Sequence, residues 1–141
     1  MKKILLLFIT IILVSGCNKE VEENIDRDKV IDSVKIIINN EEYIINLEDN
    51  RTVNGFVKLL PLELNMNELN GNEKYVYLDK SLPSNASNPG RINKGDVMLY
   101  GDDCLVIFYE SFDTSYSYTK IGHIDNLPDL GNGNIIVKIE I

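Results

Sequence analysis

Few side chains in this 141-residue chain are of the kind that do chemistry. His123 is the single histidine, and a histidine serves as general base when a hydroxyl or thiol lies within hydrogen-bond reach. No Ser or Cys stands at a spacing that identifies such a partner. On an alternating strand His123 shares a face with Ser117, Thr119 and Ile121, opposite Tyr118 and Ile124. It reads first as an ordinary surface histidine and second as a ligand contact. Cys104 opens an apolar run that extends to Tyr109. A reactive thiol needs exposure and a depressed pKa, and a place in a buried strand predicts the reverse. Hydrolysis by paired carboxylates requires two acids converging in one cleft. Asp102-Asp103, and Asp96 after Gly95, read more simply as turn residues. Asp129 to Asn134 has the composition of a calcium loop without the downstream bidentate acid. No metal and no cofactor is expected.

Glu73 and the tyrosines remain. Glu73 lies between the turn dipeptide Asn70-Gly71 and Tyr75, where it is expected to pin the loop by accepting backbone hydrogen bonds. The chain has seven tyrosines and no tryptophan. Tyrosine gives a recognition surface a large contact area at low entropy cost. The candidate site is a cleft formed by Tyr75, Arg91, Tyr109, Tyr118 and His123, with Glu73 beside it.

These residues need a scaffold, and the stretch Gly90 to Phe112 supplies its centre. Val97 to Tyr100 and Cys104 to Tyr109 are apolar runs of strand length around the turn Gly101-Asp102-Asp103. A continuous apolar run is the pattern of a strand buried on both faces. Ahead of it, Ser33 to Ile38 and Glu42 to Leu47 flank Asn39-Asn40-Glu41. Val34, Ile36 and Ile38 share one face, as do Tyr43, Ile45 and Leu47, which makes a hairpin. Val53, Phe56, Val57 and Leu60 form a helical stripe that Asn50 caps and Pro61 ends. Leu62, Leu64 and Met66 alternate with Glu63, Asn65 and Asn67. Tyr75 to Leu78 gives a short strand, and Ser81 to Pro89 a surface loop of the sort that often binds. Tyr116 to Ile124 is a further strand, with Gly122 marking a bulge or a close backbone approach. Leu127 to Leu130 suggests one helical turn, and Ile135 to Ile141 closes the chain. About eight strands and one or two short helices make an all-β protein, and a closed barrel removes the edges of so many strands.

The N-terminus is of another kind. Met1-Lys2-Lys3 is basic, Ile4 to Val14 is apolar apart from Thr10, and Val14-Ser15-Gly16-Cys17 ends on small residues before a cysteine. Residues 1–16 read as a signal peptide. Their apolar run is too short to cross about 30 Å of hydrocarbon as a helix. The ending resembles the lipobox of bacterial lipoproteins, which implies a lipidated Cys17 as the first mature residue. Lipidation implies a membrane-anchored protein on the extracytoplasmic face, since multiple acyl chains anchor stably. Residues 17–29 form a charged tether, and the folded domain spans 30–141. The formal charge of −8 becomes more negative once Lys2 and Lys3 are removed. That argues against nucleic acid as a partner, because its binding needs Lys and Arg to displace counterions. Committing Cys17 to lipid leaves Cys104 without a disulfide partner.

Six segments in order carry a resemblance. They are Leu59-Leu60-Pro61-Leu62, Leu69-Asn70-Gly71-Asn72-Glu73-Lys74-Tyr75, Gly95-Asp96-Val97-Met98-Leu99-Tyr100, Leu105-Val106-Ile107-Phe108-Tyr109, Tyr118-Thr119-Lys120-Ile121-Gly122-His123-Ile124 and Leu130-Gly131-Asn132-Gly133. Together they resemble the small bacterial cyclophilin-like domain family, over about Val34 to Ile141. The resemblance implies a closed eight-stranded barrel with helical caps. Cyclophilins proper isomerise X-Pro bonds, whose barrier is about 18–20 kcal/mol. They use an arginine beside a proline pocket, in a pattern like Phe-His-Arg followed by Phe-Met-x-Gln. This chain has no such run, and of its arginines only Arg91 stands near candidate pocket aromatics. The expected function is a membrane-anchored module that binds a peptide or small molecule without catalysis. The alternatives are a divergent prolyl isomerase using Arg91, and a structural subunit of an envelope assembly.

Overall fold

A computed structural model describes residues 30–141. The segments expected to be a signal peptide, a lipidated Cys17 and a tether lie outside the described residues. Two asparagines begin the fold. Asn39 and Asn40 both adopt positive φ, 51° and 64°, the requirement of a two-residue type I′ turn. That turn joins β1 (Ser33–Ile38) to β2 (Glu41–Leu47), with Ile38 opposite Glu41. Val34, Ile36 and Ile38 are buried on one side of β1, as their alternation predicts.

The helix α1 (Arg51–Val57) follows. The Asn50 side chain accepts from the Val53 N–H at 2.8 Å and donates to the Lys120 carbonyl at 2.7 Å. One residue thus caps the helix and ties it to a later strand. Val53 and Phe56 join the main core. The helical stripe ends earlier than Leu60, where the Leu59 and Leu60 N–H groups bond to the Phe56 and Val57 carbonyls ahead of Pro61.

The remaining long strands are β3 (Leu62–Leu69), β4 (Glu73–Tyr77), β6 (Asp96–Tyr100), β7 (Cys104–Phe108), β9 (Thr119–Ile124) and β10 (Ile135–Glu140). With β1 and β2 they close an antiparallel barrel in the order β1-β10-β3-β4-β7-β6-β9-β2. Two short segments, β5 (Arg91–Ile92) and β8 (Phe112–Asp113), pair separately. The protein is therefore an all-β closed eight-stranded barrel with one short helix. The turn expected at Leu127 to Leu130 is not helical. Pro128 lacks an N–H and disfavours helical backbone at Leu127, so the segment forms no helix while Leu127 and Leu130 remain buried.

All five residues of β7 are buried, as its continuous apolar run predicts. Leu105 and Ile107 face the interior core. Cys104, Val106 and Phe108 face outward into a second cluster with Ile92, Met98 and Tyr118. The β5–β8 pair and the segment before β9 thus give one part of the wall an outer apolar layer.

Among the described strands the register shifts in the pairing of β6 with β9. Val97 pairs with Gly122 but Met98 pairs with Lys120, which leaves Ile121 as a bulge residue. A Cβ on Gly122 would lie 2.3 Å from the Asn46 carbonyl oxygen, so the close approach there excludes any larger residue. The bulge also corrects the placement of His123. Thr119 and Ile121 are buried, whereas His123 stands half-exposed opposite Asp96.

Candidate functional site

Period-two alternation along β4 sends consecutive residues to opposite sides of the wall. Lys74 goes inward and is fully buried. Its Nζ donates to Glu68 Oε2 at 2.5 Å and to the carbonyls of Gly131 and Gly133 at 2.7 and 2.6 Å. The ammonium also lies 5.0 Å from the centroid of the Tyr109 ring. Tyr109 donates its hydroxyl to Glu68 Oε1 at 2.5 Å, and the Gly71 N–H donates to the same oxygen at 2.9 Å. Burial pushes the Glu68 carboxyl up, but the hydrogen bonds from Lys74 and Tyr109 outweigh it and hold the pKa below its ordinary value of 4.5. Burial, with the hydrogen bond to Glu68, raises Tyr109 to about 12. Every charge in this network has a partner.

The outward residues of β4 are Glu73, Tyr75 and Tyr77, and they line a cleft of about 380 Å³ on the outer wall. Cys104 and Val106 of β7 also line it, with Tyr100 of β6. Phe112, Tyr116 and Tyr118 contribute from the segments beyond β7. The rings interlock edge to face, with Tyr75 and Tyr77 centroids 6.1 Å apart and Tyr100 and Tyr116 centroids 6.3 Å apart. Tyr100 and Tyr118 lie at 5.7 Å. Tyr77 and Tyr116 keep 65% and 62% of their surface exposed.

Glu73 is the one charged residue lining this cleft. Burial, and then the charge of Glu68, raise its pKa. Among the described residues no hydrogen bond or ion pair reaches its carboxylate. Glu68, rather than Glu73, accepts the backbone hydrogen bond that pins the Asn70-Gly71 turn. Asn72 also lines the cleft, and its Oδ1 is buried without a hydrogen-bond partner among the described residues. Burial, with the charges of Asp103 and Glu73, pushes the Cys104 thiol up to about 11. That thiol is a poor nucleophile, as its place in an apolar strand predicts.

Of the six residues singled out from the sequence, Glu73, Tyr75 and Tyr118 come together in this cleft. Tyr109 does not, because it belongs to the inward Lys74–Glu68 network. Arg91 and His123 line a separate hollow of about 310 Å³ with Asp96 and Lys120. There the His123 ring bonds to Asp96 at 2.9 Å through Nδ1, and its Nε2 lies 3.5 Å from Asp125. Among the described residues the two ring nitrogens thus face carboxylates. The Arg91 guanidinium is 57% exposed and pairs with Asp113 at 3.0 Å. Among the described residues no cluster of His, Cys, Asp and Glu could hold a metal ion. Sequence reasoning missed Tyr77, Tyr100, Tyr116 and Phe112. The signal for the first three was the tyrosine excess, which gives number but not direction.

Residues 36–140 match a family model described as the cyclophilin-like family. No curated protein and no solved structure matches the chain.

Proposed function

The chain belongs to the cyclophilin-like family, and from that premise we propose that it is a non-catalytic binding module for a peptide or small molecule. The observation that carries this reading is the aromatic cleft on the outer barrel wall. Its volume of about 380 Å³ suits a side chain or a small ligand. Its walls are tyrosine and phenylalanine, and its thiol is held protonated by burial. Among the described residues no arginine lines it, and Arg91, the electrostatic group an isomerase reading needs, faces Asp113 elsewhere. Binding without bond rearrangement accounts for these features together.

The module is held at the extracytoplasmic face of a membrane by a lipid on Cys17, on the strength of the basic start, the apolar run and the small residues before that cysteine. Replacing Cys17 with Ala is expected to release the protein from membranes. Retention after that change would remove the anchoring.

Binding is tested by titrating the full chain with short proline-containing and proline-free peptides while following tyrosine ring resonances by NMR. Shifts at Tyr75, Tyr100 and Tyr118 are expected. Silence at all three would defeat the reading. Catalysed proline isomerisation abolished by Arg91→Ala would replace it with the isomerase alternative.

A further inference from the structure

Resting on the binding reading above, we infer that the cleft takes an organic cation bearing N–H donors, an ammonium or guanidinium group on an apolar body. One carboxylate on its lining has no counter-charge. Glu73 receives no hydrogen bond or ion pair among the described residues, and it stands half-buried on a lining that is otherwise aromatic, apolar or amide. A half-buried carboxylate without a cation gains when a ligand supplies one. Glu73 fixes the sign of that ligand, because a carboxylate rejects an anion and gains most from a charged donor.

The aromatic lining selects in the same direction. Tyr75, Tyr77, Tyr100 and Tyr116 present ring faces and edges around a small space, and a cation over a ring face is attracted by its quadrupole. Among the described residues no lysine or arginine lines the cleft to pair with that carboxylate. Lys74, the next residue along the strand, is committed to the opposite side of the wall. The formal charge of −8 adds a long-range field of the matching sign. The cation arrives either as a free amine or as a lysine or arginine side chain of a peptide, and the chemistry recognised is the same.

Four probes test the inference on the full chain: benzylammonium, N-acetyl-lysine methylamide, benzyl alcohol and benzoate. The two cations are expected to shift the cleft tyrosine resonances, with benzyl alcohol and benzoate at least about tenfold weaker. Whichever cation binds tighter identifies the source, free amine or peptide side chain. Glu73→Gln, which keeps size and shape, is expected to weaken both cations by about tenfold while leaving benzyl alcohol unchanged. Tyr100→Leu, at a partly exposed position, is expected to weaken them about threefold, the scale of an exposed cation–π contact. Equal binding of the cation and the alcohol, or full affinity in Glu73→Gln, overturns the cation assignment and leaves the binding module standing. Failure of these probes and of the peptides above to perturb any cleft tyrosine overturns both.

Discussion

Glu73 and Lys74 are neighbours on one strand, and the two faces of the barrel wall treat them in opposite ways. Inside, Lys74 is wholly buried and meets a carboxylate and two carbonyls, while Tyr109 completes the set through Glu68. Outside, Glu73 is half-buried among tyrosines with no donor among the described residues. The inward network is deeper in charge and poorer in opportunity, because nothing in it is left to bind. The outward face has less burial and, among the described residues, a carboxylate without a counter-charge beside exposed rings. Paired charge marks the scaffold here, and unpaired charge marks the candidate site.

The sharpest way to break this contrast is Lys74→Ala. Removing one partner of a buried ion pair leaves Glu68 uncompensated and is expected to destabilise the fold by about 3–5 kcal/mol. Denaturant midpoints at constant slope would measure it, and a loss under about 1 kcal/mol would show that the network is not structural. Next comes the thiol on the cleft floor. With a pKa of about 11, Cys104 should react with iodoacetamide at pH 8 roughly a hundredfold more slowly than an unperturbed thiol. Rapid alkylation of the native protein would count against a protonated, inert floor.

Acid titration separates the two glutamates by sign. The pKa of Glu68 is lowered in the fold, so its stabilisation is present above 4.5 and is lost as pH falls through the folded value. The pKa of Glu73 is raised, so its ionised form is the destabilising one, and that penalty is relieved as pH falls through its folded value. Unfolding free energy measured from pH 7 downward should lose the Glu73 gain in Glu73→Gln and keep the Glu68 loss. A variant curve superimposable on the parent would contradict the assignment. The smallest effect is on stability at neutral pH, where Glu73→Gln should change unfolding by less than about 1 kcal/mol and in the stabilising direction. Substantial destabilisation would make Glu73 part of the scaffold after all.

Much of this architecture was legible in the residues. Alternation in β1, β3 and β10 identifies their inner faces, and the unbroken apolar run of β7 announces a strand covered on both sides. The inward network was legible only in part. Glu68 continues the register of Leu62, Leu64 and Met66, which hints that an acid enters the barrel. Its partner Tyr109 lies 41 positions away, and no local pattern encodes that meeting. His123 was misplaced because one bulged residue reverses every side chain after it, and a bulge inside an otherwise regular run leaves only Gly122 as a trace. The cleft assembles from β4, β6, β7 and the segment before β9, so its tyrosines meet only once these strands, apart in sequence, pair side by side.

Closure also sets an order of manufacture. The stave between β1 and β3 is β10, formed by residues 135 to 140, and it pairs Lys35 with Glu140 across almost the whole described chain. Until those residues pair, the first hairpin and the third strand each carry a bare edge of the sort that recruits foreign strands. A chain folded only as far as Asn134 is thus all parts and no barrel, with two edges that a single strand covers.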